Sequence, residues 1–173
     1  MYSRILVPVD GSHTSTRGLQ EAVELAKSQG AALRLMHVVD ESVLTMNPEA
    51  IVGTGELIDD IVAAGKQALK NAHALAERHG VKAETVMYEN LAGRVAPLIL
   101  DEAKKWRADL IVMGTHGRRG ITHAVLGSDA ETVVRSSPVP VLLVRAPDAP
   151  AKREHATGAR QAGSSKKAAA PHH

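Results

Sequence analysis

Residues 114–128 read GTHGRRGITHAVLGS, with three glycines in seven residues and a fourth directly before a serine. Backbone this bare suits the holding of an anion. Several main-chain N–H groups can converge on a phosphate only where no side chain blocks the approach, and a helix starting there adds the positive end of its dipole. Gly114 leaves an apolar run, Gly117 opens the turn, and Gly127 with Ser128 starts a short helical segment. The Ser128 hydroxyl can cap that helix or meet an anion. Arg118 and Arg119 bring guanidinium groups suited to phosphate. The spacing is neither G-x-x-x-x-G-K-[ST] nor G-x-G-x-x-G after a first strand. Taken alone, the glycines are explained equally well by a turn that binds nothing.

Other polar groups allow fewer chemistries. Asp10 ends the run ILVPVD and precedes Gly11, so it can contact a ligand or brace a turn. Ser12, Thr14 and Ser15 suit the cap of a following helix, and Ser12 or Thr14 could also touch a phosphate. His116 and His123 sit inside the glycine-rich stretch and His13 follows Asp10, but their spacing fits neither H-E-x-x-H nor another zinc pattern. His37, at the end of an apolar run, reads as a hydrogen-bonded core residue, His73 and His79 as helix-face residues, and Trp106 as packing. There is no cysteine, which excludes disulfides, thiolate catalysis and Cys-ligated zinc.

Positioning these groups falls to five aliphatic runs, residues 5–9, 32–38, 83–88, 110–113 and 139–144, alternating with four helical segments. Leu19, Val23 and Ala26 recur at helical spacing, and Gly30 is placed for a C-terminal cap. Leu57, Ile58, Ile61, Val62, Leu69, Ala72, Leu75 and Ala76 form a second stripe that ends at His79-Gly80. Val95, Leu98, Ile99, Ala103 and Trp106 form a third, in which Pro97 is tolerable only in the first turn. Residues 128–136 form a shorter helix. This alternation implies right-handed βαβ units and an open parallel sheet covered on both faces, ordered 3-2-1-4-5 or 2-1-3-4-5. In the first order, strand order reverses between strands 1 and 4, and ligands bind beyond their carboxyl ends. PVDGS and MGTHG lie at those two ends.

The chain has 173 residues, enough for one domain with a substantial core. Hydrophobic residues make up 44% but aromatic ones only 2%, so the core is built from Val, Leu, Ile and Ala. No stretch nears the roughly 20 apolar residues of a membrane helix, and the N-terminus shows no signal-peptide pattern; a cytoplasmic protein is expected. The segment 146–173 is rich in Ala, Pro, Gly and Ser without aliphatic periodicity, and reads as a disordered basic tail after a domain of residues 1–145. The tail holds five basic and two acidic residues, so of the net charge of +2 the domain carries −1, and nucleic acid is not called for. A long connection, residues 40–55, contains Met46, Pro48, Ile51 and Val52 and reads either as a lid or as an ordinary loop.

The spacing Gly114, two residues, Gly117, nine residues, Gly127-Ser128 resembles the ATP-binding motif of the universal stress protein family. ILVPVDGS, HVV, ADLIVMGTHGR and PVPVLLVR share the resemblance, which spans residues 2–145. It implies a five-stranded 3-2-1-4-5 sheet of the adenine nucleotide alpha hydrolase-like kind. It also implies ATP, ADP or AMP at the switch point, with Mg²⁺ arriving on the phosphates. Carried over by position, Asp10 contacts the nucleoside, after Pro8 and Val9 at the end of strand 1. Val38 or Val39 lies against adenine. Met113 and Gly114, then His116, Gly117 and Arg118, then Gly127, Ser128 and Asp129 make up the rest of the cofactor-binding set, with no catalytic or metal residue assigned. Asp129 departs from the pattern, because the position after Gly-Ser is often small or apolar in ATP binders. A carboxylate there repels phosphate unless it points outward or meets a metal.

The family usually dimerises through its last strand, here residues 139–144. The resulting expectation is a cytoplasmic homodimer that binds ATP and regulates a stress response without rapid turnover. Two alternatives stay open. One is slow ATP hydrolysis or self-phosphorylation on Ser12, Thr14, Thr115 or Ser128, for which no convincing base is present. The other is a dimeric scaffold with a vestigial pocket.

Overall fold

Ile5, Leu6 and Val7 are completely buried, as befits a central parallel strand with no polar face. They belong to β1 (Arg4–Pro8), the middle of a five-stranded sheet in a computed structural model that describes residues 1–40, 54–90, 94–115 and 126–145. Along the chain follow α1 (His13–Gln29), β2 (Ala32–Asp40), α2 (Thr54–Arg78), β3 (Ala83–Asn90), α3 (Ala96–Trp106), β4 (Leu110–Gly114), α4 (Ser128–Ser136) and β5 (Val141–Val144). The spatial order is β3-β2-β1-β4-β5 and every pairing is parallel, which decides between the two orders left open by periodicity. Strand order reverses between β1 and β4, with Leu6 opposite Ile111.

Alternation along the strands divides the core. Ile5, Val7, Leu33, Leu35 and Val112 face α1 and α2 and pack on Leu19, Val23, Leu69 and Ala72. Leu6, Met36, Ile111 and Met113 face α3 and α4 and pack on Ile99, Ala103, Ala130 and Val133. The caps follow the local sequence. Gly30 ends α1 in the left-handed region at φ 68, where a side chain would be strained. Pro97 is the second residue of α3, where its missing N–H breaks no helical bond.

Three expectations need correction. The first strand ends at Pro8, although the Val9 amide still donates to Met36 O at 2.7 Å. The last strand begins at Val141, not Val139, because Pro140 has no N–H to give the ladder and the Val139 amide turns back to Ser137 Oγ at 3.2 Å. Leu57 is 42% exposed, so the apolar stripe of α2 is fully used only in its C-terminal half, at Leu69, Ala72 and Ala76.

One feature had no signal in the apolar pattern. Glu102 on α3 has no exposed side-chain surface, yet it is charged-paired: Arg34 Nη1 of β2 donates to Oε1 at 2.6 Å and the Tyr88 hydroxyl of β3 donates to Oε2 at 2.5 Å. Arg34 also pairs with Glu84 and stacks over the Trp106 ring, 4.9 Å from its centre. Burial by itself raises the Glu102 carboxyl, but the hydrogen bonds from Tyr88 and Arg34, with the charge of Arg34, outweigh it and leave the group below its ordinary value. Among the described residues no helix is long and apolar enough to cross a membrane. The tail 146–173 and most of the long connection lie outside the described residues.

Candidate functional site

The expected switch point is built from the ends of β1, β2 and β4. Leu6 faces the α3 and α4 side and sits opposite Ile111, so Pro8 and Met113, each two residues on, share that face side by side. Val38 lies on the same face two residues past Met36, the partner of Pro8. Pro8 and Val38 are half-buried and Met113 is 7% exposed, giving three adjacent strands an apolar platform near their carboxyl ends. Val39 points to the opposite face, toward Gly65 of α2, and is completely buried, so of the two valines only Val38 offers surface there.

The helix beginnings flank this platform. Ser12 caps α1, its Oγ accepting from the Ser15 amide at 3.1 Å, and Ser15 Oγ in turn accepts from the Asp10 amide at 3.1 Å. Asp10 Oδ1 accepts from the Ser12 amide at 2.8 Å, so its carboxylate braces the turn into α1, the alternative role open to it from sequence. Thr115 donates its amide to Val144 O at 3.0 Å and accepts from the Gly127 amide at 2.9 Å. Residues 115 and 127 therefore clasp the two ends of the glycine-rich connection and fix the start of α4 beside the end of β4. Gly127 occupies the cap position of α4, where no side chain bonds the first amides, and its φ of −61 is open to any residue. Ser128 is exposed at the first helical position.

Gly114 turns out to be bare for a packing reason. A Cβ at Gly114 would stand 2.9 Å from Thr14 Cγ2 and 3.0 Å from the Thr14 carbonyl carbon and oxygen. Gly18, one turn along α1, approaches the other side of the same contact, with its Cβ position 3.3 Å from the Gly114 nitrogen and the Met113 carbonyl carbon. Two glycines thus let α1 lie directly on the end of β4. Sequence reasoning had singled out Gly114 for a ligand and overlooked Gly18, whose only signal was a glycine inside an otherwise helical pattern.

Asp129 is turned toward the start of α3. Its Oδ1 accepts from the Ala96 amide at 3.1 Å, capping the first N–H of α3 from the first turn of α4. Val95, at the α3 cap position, has no capping side chain of its own. His116, Gly117, Arg118, Arg119 and His123 lie outside the described residues. Of the expected contacts the structure sets Pro8, Val38 and Met113 on one face and the Gly127-Ser128 helix start at the end of β4, assigns Asp10 and Asp129 to hydrogen bonds within the fold, and buries Val9 and Val39 on the opposite face. His37 has 3% exposure and its Nδ1 donates to Val9 O at 2.7 Å, as a core histidine should.

Chemically, the site offers an apolar surface next to helix amides that carry no side-chain partner, a combination suited to a flat apolar ring joined to an anion. Comparison with known proteins identifies the family and its fold. The sequence model of the Universal stress protein family matches residues 1–145. Universal stress protein MJ0531 of Methanocaldococcus jannaschii is 39% identical over 85% of this chain and 84% of its own length. Among solved structures, universal stress protein UspA from Lactobacillus plantarum superimposes with a TM-score of 0.71 at 28% identity, covering 83% of this chain and 98% of that one. The universal stress protein from Archaeoglobus fulgidus in complex with dAMP gives 0.60 at 26% identity, covering 83% and 98%.

Proposed function

The chain belongs to the universal stress protein family, and we propose that it is a cytoplasmic homodimer that binds an adenine nucleotide, of the ATP type, at the carboxyl ends of β1 and β4. The observation that carries this reading is the start of α4: a helix without a side-chain cap, clasped through Gly127 and Thr115 to the strand end where sheet order reverses. The complex of the Archaeoglobus fulgidus relative with dAMP supports adenine as the base.

In this reading the base lies on Pro8, Val38 and Met113, and the phosphates meet the amides of α4 and the Ser128 hydroxyl. Gly117, His116 and Arg118, which lie outside the described residues, belong to the cofactor-binding set that the family resemblance implies. Asp10 orders the β1–α1 turn against which the nucleoside rests. Phosphates need a divalent cation to neutralise their charge, so Mg²⁺ would be carried by the nucleotide. Its chemistry there is charge neutralisation. The protein acts by nucleotide-dependent change of shape or partner and not by rapid turnover.

A specific observation favours one other reading, a scaffold with a vestigial pocket. Gly114, Asp10 and Asp129 all have structural partners that explain them without a ligand. Titration calorimetry with Mg-ATP and with AMP separates the two. Saturable heat at micromolar to millimolar nucleotide is the expected result. A folded protein that gives none up to millimolar concentrations is the scaffold.

A further inference from the structure

The acid at the second position of α4 is held beside the proposed phosphate seat, and among the described residues no charged side chain is paired with it. Three observations meet at Asp129. It is half-buried, and Oδ1 is fixed by the Ala96 amide at 3.1 Å, so the carboxylate cannot swing freely into solvent. Its partner is a neutral peptide group, and among the described residues Asp129 has no ion pair. Glu131, in the same helical turn, differs: it is paired with Arg135 at 2.9 Å and that pair is exposed. The first turns of α1 and α3 carry no acidic residue at all.

We propose that Asp129 is a specificity-determining residue that sets how much negative charge the site accepts, favouring adenosine monophosphates over metal-free ATP. This rests on the nucleotide reading above and adds a rank order among nucleotides. A carboxylate in the first turn interacts favourably with its own helix dipole, and here with that of α3 as well, so it partly cancels the positive potential an anion would feel at the start of α4. The repulsion scales with ligand charge: absent for adenosine, modest for AMP, largest for ATP without Mg²⁺. Mg²⁺ offsets it by neutralising the distal phosphates. Salt weakens it, since the site is open to solvent.

The Asp129→Asn variant isolates the charge, because the Asn carbonyl oxygen can still accept from the Ala96 amide. Binding of adenosine, AMP and ATP is measured by calorimetry for wild type and variant at low and high salt, the ATP series with and without Mg²⁺. The expected result is unchanged affinity for adenosine, a gain of roughly twofold for AMP and a gain of roughly tenfold for metal-free ATP, shrinking with Mg²⁺ and with salt. Gains equal for all three ligands, or no gain, overturn the charge role while leaving nucleotide binding intact. No heat with any ligand for either protein overturns the nucleotide reading itself, and the rank order with it. The Asp129→Ala variant serves as a control for the cap: it shares the gain toward ATP but melts lower than Asp129→Asn, by the loss expected of one helix cap.

Discussion

Gly65, in the middle of α2, sits against the ring of His37: a Cβ built there would be 2.6 Å from Cδ2 and 2.8 Å from Nε2. The ring is in no position to yield. It is buried, and its Nδ1 is committed to Val9 O at 2.7 Å, one residue before Asp10. Helix propensity alone says that Gly65→Ala should stabilise α2 by about 1 kcal/mol. Overpacking against a fixed ring costs about 1–3 kcal/mol, so the contact wins and the variant should melt lower than wild type by several degrees. A melting temperature equal to or above wild type would show that the ring gives way. The paired variant Gly65→Ala with His37→Ala removes the clash and should lose less than the sum of the two single variants.

This contact marks where sequence reading stopped. The alternation of strands and helices, the Gly30 cap and the placement of Pro97 were legible because each rests on a periodicity or on the backbone rules of one residue type, whereas periodicity left two strand orders open and the resemblance implied the one observed. Close approaches between elements distant in sequence leave no such trace. Gly18 and Gly65 look like weak points in amphipathic helices until the strand end or the ring beneath them is known. Glu102 reads as one more charge on a helix, because only the fold brings Arg34 and Tyr88 to it. The candidate site divides in the same way. Pro8, Met113 and Val38 or Val39 were implied by the resemblance, the start of α4 by its glycine and serine, and the fold sets Pro8, Val38 and Met113 on one face and Val39 on the other. The resemblance assigned Gly114 and Asp129 by position, and their actual neighbours, Thr14 and Ala96, come from other elements.

The contact between Gly114 and Thr14 predicts that Gly114→Ala destabilises the protein with no nucleotide present. The new methyl would meet the Thr14 backbone at 3.0 Å, and a helix backbone cannot shift as a side-chain tip can. A loss of about 1–3 kcal/mol is expected, which at about 2–4 °C per kcal/mol is readily seen in a thermal melt. If the ligand-free variant melts like wild type and only nucleotide binding falls, the packing role assigned to Gly114 is wrong.

The Glu102 network predicts a stability window in pH. The folded protein holds the Glu102 carboxyl below its ordinary value, so its contribution is present above the ordinary carboxylate range and is lost as pH falls through the lowered value. Tyr88 is displaced upward, by the hydrogen bond to Glu102, then by burial and by that residue's charge, so its contribution is present below the ordinary tyrosine range and is lost as pH rises through the raised value. In urea titrations at neutral pH, Glu102→Gln should be less stable by on the order of 2 kcal/mol, the scale of hydrogen bonds to a charged group. The gap between wild type and Glu102→Gln should close as pH falls into the range where wild-type Glu102 is itself protonated. A gap that stays constant down to the acid transition contradicts this.

The proposed dimer can be tested at one residue. β5 pairs with β4 on one side only, and among the described residues its other edge has no partner strand. Leu142 on this strand is 41% exposed, so a free edge coincides with exposed aliphatic surface. Free edges of this kind invite pairing with another chain unless charge or proline guards them; Pro140 guards only the start of this one. Two copies joined edge to edge would bury Leu142 of each, and a charge placed there would meet its own copy across the two-fold axis. Leu142→Arg should therefore convert a dimer into a monomer in light scattering while the circular dichroism spectrum stays native, because the side chain is not part of the core. Wild type running as a monomer at high concentration, or Leu142→Arg running as a dimer, places the subunit contact elsewhere or removes it.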